Sequence, residues 1–170
     1  MRPLLLCAAL VTCSATASQD TVKAIDLVKN YSSLVACSIN GDSFKGVKFG
    51  SDFEKYYMVY WEGDYGCSGG SSSMGGIFTT VRVTRFGDMY IMPEVKQPNI
   101  KLVCADKLKT NGESVIVNGI QYSPTDHQRS PSQQVQYTLT LDPHAGKFSS
   151  IDENELPSEQ ISTACVRRVR

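Results

Sequence analysis

The sequence predicts an α+β fold: an N-terminal helix packed on an antiparallel meander sheet of about six strands, stapled by disulfides. Three observations lead there. Helical periodicity occurs once with clarity, near the start, where apolar residues recur at three- to four-residue intervals. Short β-prone runs joined by turn residues fill most of the remaining chain, and consecutive strands on short turns pair antiparallel. Four cysteines remain after an expected export signal, an even count that reads as two disulfides.

The export signal is the N-terminus. Met1-Arg2 is a short basic start, Leu4 to Val11 is apolar, and Ala15-Thr16-Ala17 is a small-x-small cleavage site. Cleavage is expected after Ala17. The apolar run is far shorter than the roughly 20 residues of a membrane-spanning helix. Cys13 would be the acylated residue of a lipoprotein, the alternative reading, for which Thr12 is a poor fit to the Gly, Ala or Ser that such processing favours. Removing 17 of the 170 residues leaves 153, the length of one exported domain over 18–170. No second long apolar segment follows, so no transmembrane segment is expected after cleavage, and the location expected is periplasmic or secreted. The whole chain carries 17 basic and 17 acidic residues, so no global field draws it to nucleic acid. Arg167, Arg168 and Arg170 form the one basic cluster and read as a solvated tail.

Cys37, Cys67, Cys104 and Cys165 are the disulfide candidates, and spacing alone leaves their pairing open. Tying both ends of the domain together favours Cys37–Cys165 with Cys67–Cys104. The wide spacing, with no Cys-x-x-Cys, argues against zinc and against thioredoxin-like redox chemistry. No metal and no cofactor are expected.

Asp20 to Ala36 is the helix, with Val22, Ile25, Val28, Tyr31 or Ser32, and Val35 on the packed face and Asp20 or Thr21 as the cap. Asn40-Gly41-Asp42 is a turn, and Phe44, Val47 and Phe49 mark a weak strand. Tyr56 to Trp61 is aromatic and nearly apolar throughout, which predicts a central strand covered on both faces. A glycine- and serine-rich loop runs from Gly63 to Gly76. Ile77 to Arg85 alternates, with one face wet, and Phe86-Gly87-Asp88 turns the chain into Met89 to Met92, where Pro93 stops it. Ile100 to Cys104 is a short strand, and Ser114 to Ile120 another, in which Asn118-Gly119 signals a hairpin or bulge. A polar loop spans Ser123 to Gln134. Val135 to Leu141 alternates again, and Phe148 to Ile151 is an edge strand. Ser158 caps a short C-terminal helix ending near Cys165.

Several motifs invite chemistry. Gly66-Cys67-Ser68-Gly69-Gly70 resembles the nucleophile segment of trypsin-like serine proteases, with Ser68 as nucleophile. That chemistry needs a His base oriented by a carboxylate. In that family both precede the Ser, whereas His127 and His144 follow it here, and 153 residues are few for a double barrel. The same string resembles a glycine motif of papain-like proteases, but their Cys-Trp segment is absent. Cys67 therefore reads as half of a disulfide. Asp64 with Asp42 or Asp88 falls short of the clustered oxygens of a calcium loop and reads as a turn former. His127, Asp126 and a serine could be written as a triad, but an exposed His in a polar loop accounts for them. The Gly/Ser loop lacks the Lys of a phosphate-binding loop. Glu54, Glu62 and Asp64 show no sign of the cleft a glycosidase pair needs.

The pattern Trp61-x-Gly63-Asp64-x-Gly66-Cys67-x-Gly69-Gly70, an alternating strand, and Tyr122-Ser123-Pro124-x-Asp126 to Pro131-Ser132 ahead of the Val135–Leu141 strand resembles small exported bacterial proteins of unassigned function. The likeness covers roughly Tyr56 to Leu141 and implies a bacterial envelope location, with no catalytic residues to carry over. The expectation is a non-enzymatic binding protein, of inhibitor or immunity type, that takes a protein partner in the periplasm or outside the cell. The expected contact residues are Trp61, Asp64, Tyr65, Ser68, Ser71, Ser72, Ser73 and Met74, flanked by Tyr60, because Tyr and Ser on a loop serve recognition at low entropic cost. The alternatives are an exported hydrolase using Ser68 or a His127/Asp126 site, and an accessory subunit of an envelope or secretion complex.

Overall fold

A computed structural model describes residues 18–51, 53–69, 74–127, 130–157 and Cys165. The expected signal over 1–17, the serines Ser71 to Ser73 and the expected helix from Ser158, apart from Cys165, lie outside the described residues.

Among the described residues one helix, α1 (Gln19–Val35), precedes eight strands: β1 (Ala36–Gly50), β2 (Lys55–Tyr65), β3 (Gly75–Val83), β4 (Met89–Ile91), β5 (Leu102–Asn111), β6 (Ser114–Gln121), β7 (Gln133–Asp142) and β8 (Lys147–Glu155). The fold is α+β, but the single six-strand meander is replaced by two four-stranded sheets, ordered β1-β2-β3-β4 and β5-β6-β7-β8. Every pairing is antiparallel. The break falls between Met92 and Leu102. Pro93 diverts the chain, the Val95 N–H turns back to the Met92 carbonyl, and the Ile100 N–H bonds the Pro98 carbonyl. A strand cannot continue through that segment, because proline lacks the ladder donor.

The layers run helix, first sheet, second sheet. β2 is buried on both faces, as its apolar run predicts. Its alternate residues divide the core. Tyr57, Val59 and Trp61 face α1, with Ala24, Val28, Ile77 and Val81. Tyr56, Met58 and Tyr60 face the second sheet, with Phe78, Val115, Val117, Val135, Tyr137 and Leu139. β3 is buried from Ile77 to Val81, where one wet face had been expected. The second sheet lies over one of its faces and α1 over the other. β7 buries Val135, Tyr137, Leu139 and Leu141 and leaves the residues between them half-buried, matching its alternation.

In α1 Val28 and Ser32 are buried and Ile25 and Val35 partly so, as expected, but the cap and part of the face differ. Ser18 is the N-cap, its Oγ accepting from the Thr21 N–H at 3.3 Å. The buried stripe is Thr21, Ala24, Val28 and Ser32, while Val22 stands exposed. Small residues let the helix settle close to the sheet: a Cβ on Gly46 of β1 would lie 3.0 Å from Ile25 Cγ1. Of the two expectations for Asn118-Gly119, the bulge holds and the hairpin does not. The pair lies inside β6, opposite a bulge in β5, where Ala105 pairs with Gly119 and Lys107 with Asn118, leaving Asp106 extra. A Cβ at Gly119 would come within 2.3 Å of the Cys104 carbonyl oxygen. Gly119→Ala is therefore expected to cost about 1–3 kcal/mol by overpacking. Gly41→Ala, with nothing within 4 Å, should be close to neutral in the same urea titration.

The disulfides are Cys37–Cys67 and Cys104–Cys165. The end-to-end pairing is thus corrected. β1 begins at Ala36, which pairs with Tyr65 at the far end of β2, so Cys37 meets Cys67 across one strand pair. Cys104 takes Cys165, in a small cluster with Ile120. Two disulfides are compatible with an oxidising compartment. Among the described residues no helix is long and apolar enough to cross a membrane.

Candidate functional site

The two sheets present their ends together. At one end, Glu54 before β2 meets His144 in the β7–β8 turn, with Nε2 3.7 Å from Oε1. At the other, a Cβ on Gly76 at the start of β3 would lie 3.0 Å from the Leu102 carbonyl oxygen at the start of β5. Leu102 pairs with Gln121, and Gln121 with Gln133. The β2–β3 and β6–β7 connections therefore leave the same end of the molecule.

The base of the β2–β3 connection is held from several sides. Asp64 is 5% exposed, and its carboxylate accepts from the Ser68 N–H at 3.1 Å, the Ser68 hydroxyl at 3.0 Å and the Gly69 N–H at 3.2 Å. The Gly66 N–H donates to the Val35 carbonyl at the end of α1, and Cys67 is tied to Cys37. Gly66, Cys67 and Gly69 have φ of 76°, 58° and 71°. Two of these left-handed positions are glycine, and the Cys67 strain is borne by the crosslink. Exposed side chains flank the base: Tyr65 at 47% and Met74 at 41%.

Trp61 is wholly buried. Its indole N–H donates to Thr79 Oγ1 at 2.9 Å, and its ring stacks on Phe44 and meets Tyr65 edge-on. Trp61 and Asp64 support the connection from inside, where the sequence had suggested contact residues. Tyr60 is likewise buried, its hydroxyl 3.3 Å from Glu62 Oε1. Glu62 Oε2 accepts from the Asn40 amide at 2.7 Å, and the Glu62 N–H donates to Ser43 Oγ at 2.8 Å. The second sheet has a matching network at the same end. The Tyr137 hydroxyl lies against Gln121 Oε1 and Glu153 Oε2, and the Gln121 amide donates to Gln133 and Glu153. Burial, then the Glu153 carboxylate, push the Tyr137 phenol up to about 12. That tyrosine is thereby neutral at any physiological pH and acts as a fixed polar brace.

The elements of a triad are not assembled around Ser68. Its hydroxyl donates to the Asp64 carboxylate, and neither histidine is among its described partners. His144 sits beside Glu54 at the other end of β2, whose 11 residues span roughly 30 Å or more at about 3.3 Å each. Asp126 does not orient His127. Its carboxylate closes the 123–132 loop, accepting from the Ser123 N–H at 2.8 Å, the Ser132 N–H at 2.7 Å and the Ser132 hydroxyl at 2.6 Å. The Ser132 hydroxyl, then the Ser123 N–H, hold its pKa at about 2, below the ordinary 3.8. A depressed folded pKa stabilises the loop above the unfolded value and loses that stability as pH falls. The Ser132 amide NMR signal is therefore expected to move as pH falls from 3.8 through about 2, with its midpoint near 2, and to stay still in Asp126→Asn. A signal unmoved across that window in the wild type would contradict the assignment. Among the described residues no three His, Cys, Asp or Glu side chains converge as metal ligands.

One feature had no signal in the sequence. A groove of 290 Å³ lies beside the connection, lined by Tyr31, Tyr65, Phe78, Thr79 and the segment from Ile91 to Gln97. Burial, then the neighbouring Tyr65 hydroxyl, raise the Tyr31 phenol above its ordinary value. The groove exists because the chain leaves the first sheet at Pro93, and nothing about Gln97 in the sequence marks it.

Comparison with protein-family models, with curated proteins and with solved structures gives no match.

Proposed function

We propose that the protein is an exported binding protein of the bacterial envelope that captures a protein partner through the β2–β3 connection, in the manner of an inhibitor or immunity protein. One observation carries the reading. The connection is pinned at its base by the buried Asp64 carboxylate and the Cys37–Cys67 crosslink, yet it emerges between exposed Tyr65 and Met74. A loop held at its root loses less freedom on binding, so more of the contact energy reaches affinity. Tyr65, Ser68, Met74 and the serines Ser71 to Ser73 are the contact residues of this reading, with Trp61 and Asp64 as supports. The test is a pull-down from envelope extract with the mature, oxidised chain, wild type against a chain lacking residues 69–75. A partner retained equally by both would overturn the reading.

A further inference from the structure

The open edge of β3 is finished by a side chain. Antiparallel ladders exchange hydrogen bonds at every second residue. Along this edge that set runs Arg82, Thr80, Phe78. Arg82 pairs with Tyr90 of β4, and the Thr80 carbonyl accepts from the Met92 N–H at 2.9 Å. A continuing strand would serve Phe78 next, but Pro93 has turned the chain away. The Gln97 carboxamide takes that place. Its Oε1 accepts from the Phe78 N–H at 2.9 Å, and its Nε2 donates to the Phe78 carbonyl at 2.8 Å. One donor and one acceptor meeting a single residue is the pattern a strand's peptide units supply.

We infer that the Gln97 carboxamide occupies a peptide position, and that an extended segment of the protein partner displaces it and adds to β3. This rests on the proposed binding function and names how the partner is held. The chemistry of the occupant is set by what Gln97 imitates: a backbone N–H and C=O in register with Phe78. A side-chain amide leaves by rotating about its own bonds, with no strand to unpair. The groove over the same stretch supplies specificity. Ile91 and Pro93 offer apolar surface to an aliphatic or aromatic side chain of the segment, and Tyr31 and Tyr65 also line the groove. Tyr65 belongs to both the groove and the base of the connection, so the two surfaces are continuous.

The test uses a random seven-residue peptide library displayed on phage, selected against the oxidised mature protein. Selected peptides are titrated into 15N-labelled protein. Binding is expected to move the Gln97 side-chain NH2 and the Phe78 amide together. N-methylation of the peptide unit facing the Phe78 carbonyl should weaken binding about tenfold. Gln97→Ala, which removes the internal competitor, should strengthen it about threefold or more. Gln97→Glu keeps the acceptor for the Phe78 N–H but loses the donor, and serves if Gln97→Ala does not fold. Three results overturn the inference: no peptide is selected; peptides bind without moving Gln97 and Phe78; or Gln97→Ala self-associates on sedimentation without tighter peptide binding, which assigns the edge to a second copy. If one of these occurs while the 69–75 deletion still abolishes partner capture, the edge inference fails and the loop reading stands.

Discussion

Trp61→Ala is expected to remove about 3–5 kcal/mol of stability, a large share of the roughly 5–15 kcal/mol a domain holds. Trp61 is wholly buried between α1 and the first sheet, stacked on Phe44 and meeting Tyr65 edge-on. Truncation leaves a cavity that the strands cannot collapse, because β2 is fixed by partners on both sides. It also strips the Thr79 hydroxyl of its donor. Trp61→Phe separates the two effects. It keeps most of the packing and loses the indole hydrogen bond, at a cost of about 1–3 kcal/mol. Guanidinium titrations of the oxidised proteins give both numbers. The pair also decides a functional question: a supporting Trp61 leaves partner capture by Trp61→Phe close to wild type. A Trp61→Ala loss below about 1 kcal/mol would mean that the site tolerates a void and that Trp61 does not support the connection.

Much of the architecture was legible wherever one physical signal dominated. Tyr56 to Trp61 could be read as central because it is apolar on both faces, and Val135 to Leu141 as half-buried because it alternates. Legibility failed where tertiary contacts overrode local chemistry. Asn118-Gly119 marks a hairpin or a bulge, and the bulge is what forms, in the facing strand, but the close approach of Cys104 that Gly119 permits is a tertiary contact. Val22 fits a helical stripe, but the helix turns its small residues, Thr21 and Ala24, to the sheet. Residues 38 to 46, rich in Ser, Gly, Asn and Asp, hid the long strand that makes Cys37–Cys67 the short-range pairing. Pro93 reads as the end of one strand, although it also separates two sheets. The exposed part of the candidate site, Tyr65, Ser68 and Met74, was readable because Gly and Ser advertise a loop. The groove and Gln97 were not, since an edge plug depends on where a distant strand stops.

Deleting residues 69–75 is expected to abolish partner capture, a loss of about a hundredfold or more where contacts concentrate in a few residues, as binding energy generally does. The fold should persist. Cys67 keeps its bond to Cys37, Gly66 keeps the Val35 carbonyl, and Trp61 keeps its described partners Phe44, Tyr65 and Thr79. Asp64 loses the Gly69 donor but keeps both bonds from Ser68. The loss of one such hydrogen bond and of the Gly63–Gly75 pairing corresponds to about 1–3 kcal/mol. At this chain length that lowers Tm by roughly 2–4 °C per kcal/mol. Asp64→Ala probes the same loop without shortening it. It leaves three donors unserved at the base, so capture should weaken mainly through faster dissociation as the loop gains freedom. Thermal melts and pull-downs on both variants check the pair. If the deletion unfolds the oxidised protein, the connection is part of the framework, and recognition must be sought elsewhere. If both variants stay folded and only capture is lost, the buried carboxylate and the disulfide have one shared purpose: to hold a recognition loop in place.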